Sequence, residues 1–291
     1  RCAFVHNEAN KHGGALYWLD SERADTLHIS GGLFDGGRAY DVNGGGGNCL
    51  YVGRPRSPNS YIVFEKAEIK DISASNFLIY MDAGVINAGF EVAFDKVYFH
   101  NNEYVNIGIE SSGASVRLSI FNSVFYHNNN VKIYLASYGK PLLNLQRDSF
   151  IYNNEICFRA DKPDSTIQVR RHDIGFYANS NKKIEWVPSY NTFLKLSNGE
   201  FYNNQWLYIV YDSIINSTFI GNEYGNVEGN IVSHNFHNSI AYNNYYYQSM
   251  YGYKSLFLIY KSFSNVISSN SLTDAPEAYF DTLSAFTLGP G

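Results

Sequence analysis

Pairs of apolar residues two positions apart recur along the chain: Leu27 and Ile29, Ile62 and Phe64, Val92 and Phe94, Leu118 and Ile120, Leu143 and Leu145, Leu194 and Leu196. Alternation at period two is the pattern of a strand with one face buried. Five residues after the second member of each pair stands a Phe or Ile, and in most copies an Asn follows three residues later. The motif Phe-x-x-Asn occurs at Phe4/Asn7, Phe99/Asn102, Phe125/Asn128, Phe150/Asn153, Phe176/Asn179, Phe201/Asn204 and Phe219/Asn222, with Ile for Phe at Ile240/Asn243 and Ile267/Asn270. Phe34 and Ile69 hold the same place with the Asn replaced by Gly37 and Ile72. Between pair and Phe lies a corner of Asn, Gly and Ser, as in Phe121-Asn-Ser-Val-Phe125 and Leu196-Ser-Asn-Gly-Glu-Phe201, residues that supply tight turns. A further strand is predicted after the Asn, at Val131–Leu135, Ile156–Phe158 and Trp206–Tyr211.

Each unit therefore reads strand, corner, strand, turn, strand. Phe99, Phe125, Phe150, Phe176 and Phe201 are separated by 26, 25, 26 and 25 residues, and so regular a period is the signature of a solenoid. One unit cannot bury its own apolar face, whereas stacking each on the next creates parallel sheets and a continuous core. Strand-to-parallel-strand connections favour the right hand. The pattern predicts an all-β, right-handed parallel β-helix of roughly ten coils of about 25 residues, a rod on the order of 50 Å long at ~4.8 Å per coil. Phe would stack as a column of rings inside, and Asn would form a ladder of amides at the turn.

The repeat predicts one β-helix domain over residues 1–270, with residues 271–291 as a cap or linker. Spacings of 30, 35 and 30 between Phe4, Phe34, Ile69 and Phe99 place insertions at about 35–60, where Gly44-Gly-Gly-Gly47 and Arg54-Pro-Arg-Ser-Pro58 stand. Insertions in a solenoid emerge on one side and often build its binding surface. Cys2-Ala-Phe4 begins inside a coil, as expected of a piece of a longer protein.

The net charge of −5 and the want of a basic cluster beyond Arg170-Arg171-His172 argue against nucleic acid as partner. The longest apolar runs, such as Leu256–Tyr260, are too short to cross a bilayer. Three Cys show no metal-ligand spacing, no cofactor motif is present, and Cys2 is expected to be a small buried residue in the stack.

Candidate chemistry is sparse. Arg171 falls where Ile120, Leu145 and Leu196 point inward, and a buried unpaired Arg is too costly. Either the strand bulges there, or Arg171 meets a carboxylate such as Asp173. A sharper alternative makes Arg170, Arg171 and His172 a cationic spot on one sheet, suited to an acidic sugar. The Tyr-rich stretch Asn243–Tyr253 either lines a sheet or stacks on sugars. Glu65 and Glu68 face opposite sides at strand spacing, which disfavours a glycosidase pair. His100 and His127 are expected side by side outside, just before the ladder Asn. Asn216-Ser-Thr218 is the one N-glycosylation sequon.

Residues 4–17, Phe-Val-His-Asn-Glu-Ala-Asn-Lys-His-Gly-Gly-Ala-Leu-Tyr, resemble the repeat of the chlamydial polymorphic outer membrane proteins, which pair Phe-x-x-Asn with Gly-Gly-Ala-Ile/Leu in a β-helix. Phe4, Asn7, Gly13, Gly14, Ala15 and Leu16 carry the match. More broadly the chain resembles pectin-lyase-like β-helices. The resemblance implies a secreted or cell-surface, adhesin-like rod without an active site, with self-association through its ends or a carbohydrate or host or wall surface as partner. The alternative is a carbohydrate-active β-helix enzyme or a carbohydrate-binding solenoid. Polygalacturonases resemble one another in Asn-Thr-Asp, Asp-Asp, Gly-His-Gly and Arg-Ile-Lys motifs, and none of these is present here.

Overall fold

The computed structural model describes residues 2–10, 13–19, 26–39, 48–53, 60–73, 79–82, 90–111, 116–137, 142–161, 168–172, 174–177, 179, 184–187, 193–204, 209–224, 231–246, 257–264, 267–271, 278–280 and 285–286. Among these residues there is no helix, and every strand pairing between coils is parallel. The chain is a parallel β-helix.

Three sheets run along it. The first takes the Phe strand of each coil, in the order Ala3–Val5, Leu33–Asp35, Glu68–Lys70, Tyr98–His100, Val124–Tyr126, Ser149–Ile151, Gly175–Tyr177, Glu200–Tyr202, Thr218–Ile220, Ile240–Tyr246 and Ile267–Ser271. The second sheet has seven strands, from Leu16–Leu19 through Tyr104–Ser111 and Asn130–Ser137 to Ile184–Val187. The third carries the paired apolar positions, from Thr26–Ser30 to Phe257–Ser264, with Ala278–Phe280 and Ala285–Phe286 both paired to that last strand.

Registers follow the repeat. Phe99 pairs with Phe125, Phe125 with Phe150, Phe150 with Phe176, and Phe176 with Phe201. Their rings stack at centroid distances of 4.5, 4.5, 4.8 and 4.9 Å with planes within 6 to 9° of parallel. Phe201 and Phe219 continue the column at 4.8 Å. In the third sheet Ile62, Phe64, Val92, Phe94, Leu118, Ile120, Leu143 and Leu145 are all buried, as alternation requires. A ring stacked above and below loses nearly all its apolar surface to its equivalents, worth roughly 1.5–3 kcal/mol per side chain.

The three-residue Phe strand is short because a left-handed residue bends the chain at each end. Positive φ is found at Lys66, Lys96, Asn122, Arg147, Asn198, Asn216 and Asn238 before the strand, and at His6, Asp71, Asn101, His127, Tyr152 and Asn203 after it. Asn tolerates this region better than most residues, which accounts for its frequency at both corners. Gly14 has a different reason: a Cβ there would lie 2.3 Å from the Asn48 carbonyl oxygen and 2.6 Å from that of Arg38. The Gly-Gly pair thus permits a close approach of backbone that Ala would block.

Four expectations need correction. Of the strand expected over Trp206–Tyr211, residues 209–211 belong instead to Ile209–Ile215, paired in the third sheet with Phe193–Ser197 and Ile231–His237, and residues 206–208 lie outside the described residues. At the next coil Ile240 pairs with Thr218, Ala241 with Phe219, and Asn244 carries the ladder amide. The motif there is Ala241/Asn244 rather than Ile240/Asn243, and Ile240 is an outward position, 39% exposed. Ile267 likewise pairs with outward Ile240, leaving Ser268 opposite Ala241. Cys2 is exposed, since it lies in the first coil with a neighbour on one side only, while Cys49 is buried.

Candidate functional site

The ladder residues form the best-defined polar array of the molecule. Each Asn makes the same three bonds. The Asn128 Nδ2 donates to the Phe99 carbonyl at 3.0 Å and to Asn153 Oδ1 at 3.0 Å, and its backbone N–H donates to the same Oδ1 at 3.0 Å. Asn102, Asn153, Asn179, Asn204 and Asn222 repeat this pattern, and Asn244 takes the last place. All are buried. Below Asn102 the ladder stops, because Ile72 holds that place and offers only its backbone N–H to Asn102 Oδ1, at 3.0 Å. Every amide group is satisfied, so the array specifies register and leaves no group aimed at a ligand.

The opposite corner holds a second, less regular column. Ser123 Oγ accepts the Val97 N–H at 3.1 Å, Ser217 Oγ the Gly199 N–H at 3.2 Å, and Ser239 Oγ the Ser217 N–H at 3.1 Å. Asp148 stands in this column, buried, its two oxygens accepting the Ser123 N–H at 2.8 Å and the Gln146 N–H at 2.9 Å. Burial pushes its carboxyl well above the usual Asp range, against the pull of those two N–H groups. Sequence reading missed this residue, although an Asp where other coils place Ser was a signal.

The outward face of the first sheet is aromatic. Tyr98, Tyr126 and Tyr152, on three successive coils, are 39, 37 and 55% exposed. Tyr98 stacks on His100 at 4.3 Å, approaches Tyr126 at 6.4 Å, and Tyr126 meets Tyr152 edge-on at 6.0 Å. On the next coil, Tyr177 stacks on Tyr202 of the coil after it, at 5.7 Å. Polar groups accompany the rings: His100 Nε2 is 3.0 Å from Glu68 Oε1, and the His127 ring lies 6.0 Å from that of Tyr126. The Tyr177 hydroxyl donates to the Glu200 carboxylate, and partial burial together with that negative neighbour raises the Tyr177 pKa. Nothing in the linear repeat marks these residues as one surface, because they come from different coils.

The structure places the predicted residues as follows. Arg170, Arg171 and His172 lie on the strand Gln168–His172 of the third sheet, where Arg171 pairs with Leu145 and Leu196. Both pairings run through without a register shift, so the strand does not bulge at Arg171; the three side chains and Asp173 lie outside the described residues. Much of the insertion at about 35–60 is likewise outside them, as is the Tyr-rich stretch from residue 247 to 253. Asn216 sits exposed at the corner before Thr218–Ile220, with φ of 52°. His127 has Asn101 as its neighbour, Nδ1 to Oδ1 3.2 Å, whereas His100 pairs with Tyr126. The two imidazoles are not equivalent positions, because His100 precedes the corner residue Asn101 and not the ladder Asn102. Glu65 belongs to the third sheet and binds Lys66 and His28, while Glu68 belongs to the first.

Among the described residues there is no group of three or more His, Cys, Asp or Glu that could hold a metal ion, and no helix long and apolar enough to cross a membrane. A scan against protein-family models, a search of curated proteins and a search of solved structures each find no match.

Proposed function

We propose that this chain is part of a non-catalytic extracellular or cell-surface rod, adhesin-like in kind, of the sort the polymorphic outer membrane protein repeat suggests. The observation that supports this reading is the unbroken ladder from Asn102 to Asn244 beside the column of stacked Phe rings. The interior is occupied from coil to coil by groups that hold register, and that regularity makes a stiff spacer presenting one outer surface many times over. Stacking of its ends on another copy would extend the same design, since open solenoid ends offer strand edges.

Incubation with a panel of acidic and neutral polysaccharides, with calcium and with chelator, tests the reading. The expected result is no new reducing ends and no unsaturated products. Turnover on any member, lost in an Arg171→Ala variant, overturns the rod and turns attention to the third sheet.

A further inference from the structure

On the solvent face of the first sheet, Tyr98, Tyr126 and Tyr152 expose 39, 37 and 55% of their surface on consecutive coils. The fold does not need them there. Its core is filled by the Phe column and the third-sheet pairs, and outward positions of a sheet ordinarily favour polar side chains. We propose that this aromatic stripe is a binding platform for a neutral polysaccharide chain lying along the axis of the rod. The inference rests on the reading of the chain as a rod that holds rather than cleaves.

Four features converge on that ligand class. The rings are amphipathic, each an apolar face with a hydroxyl tip, and they stand beside hydrogen-bonding groups: the Glu68 carboxylate held by His100, and His127, 6.0 Å from the Tyr126 ring and 3.2 Å from Asn101 Oδ1. A pyranose presents the complement, a C–H face ringed by hydroxyls. The stripe also supplies a ring from each of three successive coils, 6.4 and 6.0 Å from ring to ring, so an extended chain can engage several coils at once. Then there is size. A three-residue strand makes a strip roughly 10 Å wide, and over four or five coils this is on the order of 200 Å², far below the ~800 Å² that a stable protein partner covers. One extended glycan fits such a strip. Last is charge: Glu68 and Glu103 are offset by Lys70, Lys96 and Arg147 on the same sheet and its corners, in a chain of net charge −5, so this face carries no excess of cations to hold an acidic polymer.

Affinity electrophoresis through gels containing xyloglucan, mixed-linkage β-glucan, galactomannan or polygalacturonate tests the assignment, with reducing ends measured in the same incubations. The expected result is retardation by at least one neutral polymer. It should weaken tenfold or more in Tyr126→Ala/Tyr152→Ala, be largely kept in Tyr126→Phe/Tyr152→Phe, and leave the melting temperature unchanged. If the double Ala variant melts early, Tyr152→Ala alone, at the most exposed ring, carries the comparison. Retardation by no neutral polymer, or retardation indifferent to all these variants, overturns the platform and leaves the rod reading standing. Preference for polygalacturonate also overturns it, in favour of the cationic strand at Arg170–His172. Neutral-polymer binding that depends on the Tyr pair and is accompanied by turnover keeps the platform and removes the holding role.

Discussion

Asn244 completes the amide ladder above Asn222: the Asn222 Nδ2 donates to Asn244 Oδ1 at 3.0 Å, and the Asn222 backbone N–H reaches the same oxygen at 3.0 Å. The coil that supplies Asn244 has Ala241 where its neighbour has Phe219, and Phe236 of the third sheet supplies the ring on that side, 6.1 Å from Phe219. The ladder therefore outlasts the Phe column. Asn244→Ala should cost about 1–3 kcal/mol, because it strips a buried N–H and a buried amide of their acceptor. Asn243→Ala, one position off the ladder, should cost within about 0.5 kcal/mol. Urea midpoints of the two variants check the register, and the reverse order would place the ladder at Asn243.

In the middle of the rod, Phe125→Ala should be among the most damaging changes. It breaks the column between Phe99 and Phe150, both 4.5 Å away, at about 3–5 kcal/mol. In a solenoid, stability is a sum of coil and interface terms. Amide hydrogen exchange should therefore accelerate first in the strands Tyr98–His100, Val124–Tyr126 and Ser149–Ile151, with distant coils still protected. Uniform acceleration along the whole chain would argue against that locality.

Asp148 gives the rod a pH dependence. Its carboxyl is raised in the folded state, chiefly by burial, and ordinary in the unfolded chain. Between those two values the folded chain holds a proton that the unfolded chain has released. Stability contributed by this residue is thus fully present below the ordinary Asp range and is lost as pH rises through the raised value. Asp148→Ser, the residue found at Ser123, Ser217 and Ser239 of the same column, keeps an acceptor for the Ser123 N–H and removes the titrating group. Melting temperatures measured from below the ordinary Asp range upward should fall more with rising pH in the parent than in the variant. Parallel curves would remove Asp148 from the account.

At the other end, Gly14→Ala should lose about 1–3 kcal/mol by forcing a methyl group into the backbone of its neighbours, the Asn48 and Arg38 carbonyls at 2.3 and 2.6 Å. Limited proteolysis should then cut first near residues 14–19. Ala15→Gly, beside it, is the control for loss of a side chain alone. Equal resistance of Gly14→Ala and the parent would show that this corner can relax.

The sequence by itself determined the coil. Alternation of Leu118, Ile120 and their equivalents defined one strand, Asn-rich corners defined two bends, and the period of Phe-x-x-Asn required neighbours to lie in register. Local chemistry suffices there, because each coil meets only the coils beside it and a repeated residue meets its own copy. Where the period changes, local reading failed. The 18-residue step to Asn222 set Tyr211 in the third-sheet strand Ile209–Ile215, and the one-residue offset at Ala241/Asn244 was settled by the corner serine Ser239 and the ladder amide together.

Tertiary structure alone decided which outward residues share a surface. Tyr98, Tyr126 and Tyr152 are 26 to 28 residues apart in sequence and hold three different places relative to the Phe motif, one before it, one after it and one at the corner. They become neighbours only because a strand of three residues brings both of its edges within reach of the next coil. The same stacking turned Asp148 from an ordinary surface residue type into a buried acceptor, since the adjacent coil brings the Ser123 N–H to one of its oxygens at 2.8 Å.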